Sequence, residues 1–141
     1  MTQRLFLTTV LVREYDEAID FYVGKLGFEV RLDNPLSKTK RWVVLAPPGG
    51  GQGCILLAKA ESSQQEQLVG SQTGGRVFLY LDTDNFERDF ALYTTRGVNF
   101  VEPPRVESYG TVAVFVDLYG NRWDLIQHSG YFGISGSEST R

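Results

Sequence analysis

The chain reads as one passage written twice, and that duplication limits its fold more than any other feature. In the first passage a β-rich run at residues 5–12 leads into a helical stretch at 16–26. Strand-like runs follow at 28–32, 42–46 and 54–58. Ala18, Ile19, Tyr22 and Leu26 fall on one helical face, and Gly27 stands where a left-handed residue ends such a helix. In the second passage a strand at 77–81 precedes a helix that Asp84 can cap and that runs to about residue 96. Phe86, Phe90 and Tyr93 sit on its apolar face, Gly97 ends it, and strands follow at 98–101, 111–116 and 122–127.

The two passages superpose without a gap at an offset of 70, which sets Val10 on Tyr80, Glu14 on Asp84, Glu17 on Glu87 and Gly27 on Gly97. The expected fold class is α+β: two tandem βαβββ modules, each a four-stranded sheet with one face covered by its own helix. The other face must pack against something or enclose something. Two such sheets side by side would curve around a central cleft, a usual place for a small ligand. We read residues 1–128 as one domain, with repeat one at 4–60, a Gln-, Ser- and Gly-rich linker at 61–75 and repeat two at 76–128. The Gly/Ser-rich segment 129–141 is expected to be a flexible tail.

Composition narrows the chemistry. The 141 residues include 42% apolar side chains, enough for a core, but a single His (His128) and a single Cys (Cys54). One chain can then build neither a two-histidine metal site nor a disulfide, which excludes zinc-finger, iron–sulfur and disulfide-stapled folds. The net charge of −3 argues against a nucleic-acid partner. The densest basic run, Lys38, Lys40 and Arg41, reads as a solvated loop. No stretch reaches the roughly 18 apolar residues of a membrane span. The apolar run after Arg4 lacks a small-residue cleavage site and meets the charged segment 13–17, so it reads as a strand and not a signal peptide. The expected address is the cytoplasm.

Two segments carry a family resemblance. Tyr15-Asp-Glu-Ala-Ile-Asp-Phe-Tyr-Val-Gly-Lys-Leu-Gly-Phe28 resembles the first-helix signature of the vicinal oxygen chelate superfamily, the glyoxalase, bleomycin-resistance and dioxygenase proteins. Residues 109–127, with Asp117-Leu-Tyr-Gly-Asn121 inside them, resemble its closing segment, although Leu118 stands where members often have Pro. The resemblance implies paired βαβββ modules, and it implies a homodimer because related proteins often pair. In the enzymatic branches it also implies a divalent metal on four residues, one from the first and one from the last strand of each repeat. Carried over singly, those positions are Leu7, Leu56, Val77 and Asp124. Three are aliphatic and donate no lone pair, and their neighbours Phe6, Thr8, Ile55, Leu57, Arg76 and Phe78 are no better. No metal and no other cofactor is expected.

Asp124 shares a strand face with Arg122, two residues away, so it reads either as half of an Arg–Asp pair or as a polar anchor for a ligand's cation or hydroxyl. Tyr109, just before a strand in a loop the family uses at its cleft mouth, is the leading aromatic candidate. Trp42, Tyr80 and Phe115 are further rings that can line a cleft, whereas Phe21, Tyr22, Phe86, Phe90 and Trp123 fit core positions. His128 follows the last strand and is expected near the surface without a catalytic role. Cys54 reads as a buried inert thiol, and Gly49 to Gly53 as a hairpin connection that lacks a phosphate-loop ending. The expected ligand-binding residues are Asp124, Arg122, Tyr109, Trp42 and Thr9, and the expected function is metal-free binding of a small molecule. The alternative is a lyase, isomerase or dioxygenase of the superfamily with an altered metal site.

Overall fold

Alternation and helical spacing settle the local structure in the computed structural model of the chain, which describes residues 1–51 and 53–130. In the first unit, β1 (Leu7–Val12) leads to α1 (Tyr15–Gly24), whose Tyr15, Ala18, Phe21 and Tyr22 are buried at three- and four-residue spacing. Asp16 and Glu17 in its first turn suit the positive end of the helix dipole. The chain leaves the helix through Gly27 at φ 78°, a conformation that costs a glycine nothing. Strands β2 (Glu29–Pro35), β3 (Arg41–Ala46) and β4 (Cys54–Lys59) complete a sheet of order β1-β4-β3-β2. The β1–β4 pair is parallel and the other two pairs are antiparallel. Val10, Val43, Leu45 and Leu57, at most 1% exposed, form the core with Tyr22 and Leu26, and α1 contacts β3 and β4.

The segment expected as a plain linker holds α2 (Ser63–Leu68), whose N-terminus is capped by the Ser62 side chain accepting from the Gln65 amide at 3.1 Å. Beyond it, Gln72 docks on the free edge of β1. Its Oε1 accepts from the Leu11 amide at 2.7 Å, and its Nε2 donates to the Thr9 carbonyl at 3.0 Å. The two compact units divide between Gln72 and Thr73. Arg41, expected in a solvated loop, opens β3 and bonds both Asp33 and Asp16, with its guanidinium over the Tyr15 ring.

The second unit repeats the plan with β5 (Val77–Asp82), α3 (Phe86–Thr95), β6 (Asn99–Phe100), β7 (Arg105–Glu107), β8 (Gly110–Val116) and β9 (Arg122–His128). Its sheet runs β5-β9-β8-β6, and β7 also pairs with β8. This is five strands where four were expected. Pro103 and Pro104 lack an N–H for the ladder and divide what is one edge strand in the first unit into β6 and β7. The core is aromatic: Phe115 stacks on Trp123 and meets Tyr93 and Phe100 edge-on, which places Phe115 under the helix and not in a cleft. Asp117 closes the β8–β9 turn, its Oδ1 accepting from the amides of Tyr119, Gly120 and Asn121 at 3.0 Å each. That carboxylate holds the turn, which leaves no need for a proline at exposed Leu118.

The gapless offset of 70 also needs correction. Val77 pairs with Arg122 but Leu79 pairs with Trp123, so Phe78 is an extra residue in a bulge. From there to the end of α3 the offset is 71: Tyr15 corresponds to Phe86 and Tyr22 to Tyr93, all buried. The cap of α3 is accordingly Asn85, accepting from the Arg88 amide at 3.0 Å, and not Asp84. One residue fewer before Gly97 (φ 85°) restores the offset of 70. No helix among the described residues is long and apolar enough to cross a membrane. The tail expected at 129–141 lies outside the described residues from 131 onward.

Candidate functional site

Each sheet has a face turned away from its helix, and the expected site residues fall there. On the first sheet, registered neighbours share a face, so Leu7 stands beside Cys54, and Leu56 between Thr9 and Val44. Leu7 and Leu56 pack against the buried cluster of Val44, Ala46 and Cys54. Trp42, alternating with Val44 along β3, has the same orientation and is 37% exposed. Thr9 is exposed, and its carbonyl is held by Gln72. The face is thus an aliphatic floor with one indole and one hydroxyl on it.

On the second sheet Asp124 is half-buried between Tyr80 on β5 and Val114 on β8, with Arg122 two residues back beside Val77 and Val116. No ion pair joins Arg122 to Asp124 among the described residues, so the predicted pair is absent. Instead, Asp124 Oδ1 is buried and accepts no hydrogen bond among the described residues. Burial pushes the Asp124 carboxyl above the usual range, Arg105 draws it down, and Glu102 adds to the rise. Arg105, on β7 beside Val112, donates from Nε to Glu107 at 2.8 Å and from Nη1 to Glu102 at 3.2 Å, and it also bonds the Tyr109 side chain. Tyr109 is 47% exposed and connects through Arg105 to the Asp124 face. Tyr80, 67% exposed, is the ring nearest Asp124 in the sheet register. Arg105 and Glu102 were missed from the sequence, because no strand was expected after the two prolines and so no face could be read.

These donors do not fit a divalent cation. Leu7 and Leu56 offer only hydrocarbon, Val77 sits beside a cationic Arg122, and among the described residues no three His, Cys, Asp or Glu side chains converge. His128 is half-buried, its Nδ1 lying 3.0 Å from Asp82 Oδ1. It lines an open groove of about 640 Å³ between the first turn of α3 and the β7–β8 hairpin, together with Glu87, Glu107 and Gln127. Neither Asp124 nor Tyr109 lines that groove.

Comparison with known proteins follows the same lines. Residues 4–125 match the family model described as the Glyoxalase/Bleomycin resistance protein/Dioxygenase superfamily. An uncharacterized protein from Shewanella frigidimarina (strain NCIMB 400) is 50% identical over 128 residues, 90% of this chain and 95% of that protein. The crystal structure of UcmS2 matches with a TM-score of 0.77 and 30% identity, over 89% of this chain and 98% of that one. That of TnmS3, an antibiotic binding protein from Streptomyces sp. CB03234, gives 0.75 and 30%, over 91% and 98%.

Proposed function

The chain belongs to the Glyoxalase/Bleomycin resistance protein/Dioxygenase superfamily, and from that premise we propose that it binds a small, ring-bearing molecule without a bound metal. One observation carries this reading. Leu7 and Leu56, at positions where the enzymatic branches place metal ligands, are part of a hydrophobic cluster with Val44, Ala46 and Cys54. Hydrocarbon there provides contact area for an apolar ligand and no coordination. On the first sheet Trp42 adds a half-exposed ring and Thr9 a hydroxyl; the second sheet, taken by itself, offers the half-exposed Tyr109 ring and the polar groups of Arg122 and Asp124. TnmS3, 30% identical to this chain, is an antibiotic binding protein, which supports a small-molecule ligand.

The test uses the two tryptophans. Trp42 is 37% exposed and Trp123 is 2% exposed, so a ligand on the first sheet quenches Trp42. Chelator-treated protein titrated with a panel of polycyclic aromatic antibiotics should show saturable quenching, unchanged by EDTA and lost in Trp42→Phe. A stoichiometric divalent ion in purified protein, whose removal abolishes binding, would overturn the reading.

A further inference from the structure

The open face of the second sheet carries a carboxylate that its surroundings leave unanswered. Asp124 Oδ1 is buried and accepts no hydrogen bond among the described residues. The cation whose charge reaches it, Arg105, is engaged by Glu107, Glu102 and Tyr109. Arg122, on its own strand, forms no ion pair with it. A carboxylate in such a place is stabilised by an incoming donor, most strongly by a charged one. Beside it in register, Tyr80 presents a ring that is 67% exposed on the same sheet face. An aromatic face attracts a cation and stacks on a flat apolar body. The two side chains ask for the same thing from two sides: a positive nitrogen attached to a ring system. Val114, on the other flank of Asp124, is buried and brings no competing donor.

We propose that Asp124 and Tyr80 form an amine-recognition subsite, so that the ligand of this protein is a protonated amine carried on an aromatic body. The proposal rests on the ligand-binding reading above and specifies the class of molecule bound. The carboxylate accepts a charge-assisted hydrogen bond from the ammonium group, and the Tyr80 ring covers the adjoining apolar surface.

Three probes of one shape separate the contributions: 1-naphthylmethylamine, 1-naphthylmethanol and 1-naphthoate, titrated into the full-length protein and followed by backbone amide NMR shifts. The amine should bind roughly tenfold more tightly than the alcohol, the increment of one charge-assisted contact, with the naphthoate weakest. Asp124→Asn should erase the advantage of the amine, bringing its Kd to that of the alcohol in the same variant, and Tyr80→Ala should weaken amine and alcohol together. Equal affinity of the wild type for amine and alcohol, or an amine preference that survives Asp124→Asn, overturns the subsite but leaves ligand binding standing. If none of the three probes moves an amide on either sheet, both readings fall.

Discussion

The two modules agree on the side of each sheet that meets a helix and differ on the side that does not. Under the helices, Tyr22 and Tyr93 occupy corresponding positions, and both are buried against other rings, Tyr22 against Phe21 and Phe28 and Tyr93 against Phe100 and Phe115. On the open faces, Leu56 of the first module stands where the second has Asp124, and Thr9 where it has Tyr80. The helix-facing side has to exclude water, so it accepts only apolar volume. The other side is also buried in part, at Val44, Ala46 and Cys54 in the first module and at Val112, Val114 and Ile126 in the second. There, however, the second module has placed a carboxylate oxygen that accepts no hydrogen bond among the described residues and the exposed Tyr80. Function is thus expected to depend on the open faces, and stability on the covered ones.

The largest break in this comparison should come from backbone and not from a face. Gly110 has φ +152°, and a Cβ there would overlap the Gln127 carbonyl oxygen and stand 2.9 Å from His128 Cα. Gly110→Ala should force β8 and β9 apart at the Tyr109 end and cost about 3 kcal/mol, lowering Tm by roughly 10 °C. Thermal unfolding checks it, and an unchanged Tm would mean that the hairpin absorbs the methyl group. Next comes an exchange of the two open faces. Leu56→Asp places an unpartnered charge in the Leu7, Val44, Ala46 and Cys54 cluster and should cost about 2–4 kcal/mol. Asp124→Leu should cost nothing at neutral pH. Denaturant unfolding of both variants decides the matter. A loss in Leu56→Asp with none in Asp124→Leu is the expectation, and equal tolerance would make the faces equivalent.

A smaller effect concerns the edge of β1, which Gln72 covers in the first module with two hydrogen bonds, at 2.7 and 3.0 Å. Gln72→Ala should cost about 1 kcal/mol and speed exchange of the Leu11 amide, read by hydrogen-exchange NMR. Gln72 also shows where the sequence was opaque, since a Gln in a polar stretch gives no sign of a distant backbone partner. The βαβββ order was legible because helical spacing and the terminating Gly27 and Gly97 are local signals. The bulge at Phe78 was not, because residues 77–81 are all apolar and alternate in nothing. The expected Arg122–Asp124 pair does not form, although residues two apart on a strand can pair, as Arg105 and Glu107 do at 2.8 Å. The cation that acts on Asp124 comes from β7, a strand hidden behind two prolines.

The finest test of the asymmetry is the pH dependence of Asp124→Asn. Burial raises the folded-state pKa of Asp124 above its unfolded value, against the pull of Arg105. A raised carboxyl pKa means the folded state binds the proton more tightly than the unfolded state. The stability linked to that proton is complete below the unfolded value, near pH 4, and is lost as pH rises through the folded value. At neutral pH the ionised Asp124 is therefore a net cost, one that Arg105 offsets only in part. Asp124→Asn should raise Tm at pH 7 by about 2 °C, a modest gain because the side chain is only half-buried and water screens part of the charge. The gain should shrink as pH falls and vanish below about pH 4, where both states of the wild type are protonated. Paired melting curves of variant and wild type from pH 8 to pH 3.5 measure it. A gain that stays constant with pH would trace to packing, and the carboxylate would then lose its standing as the feature that sets the second module apart.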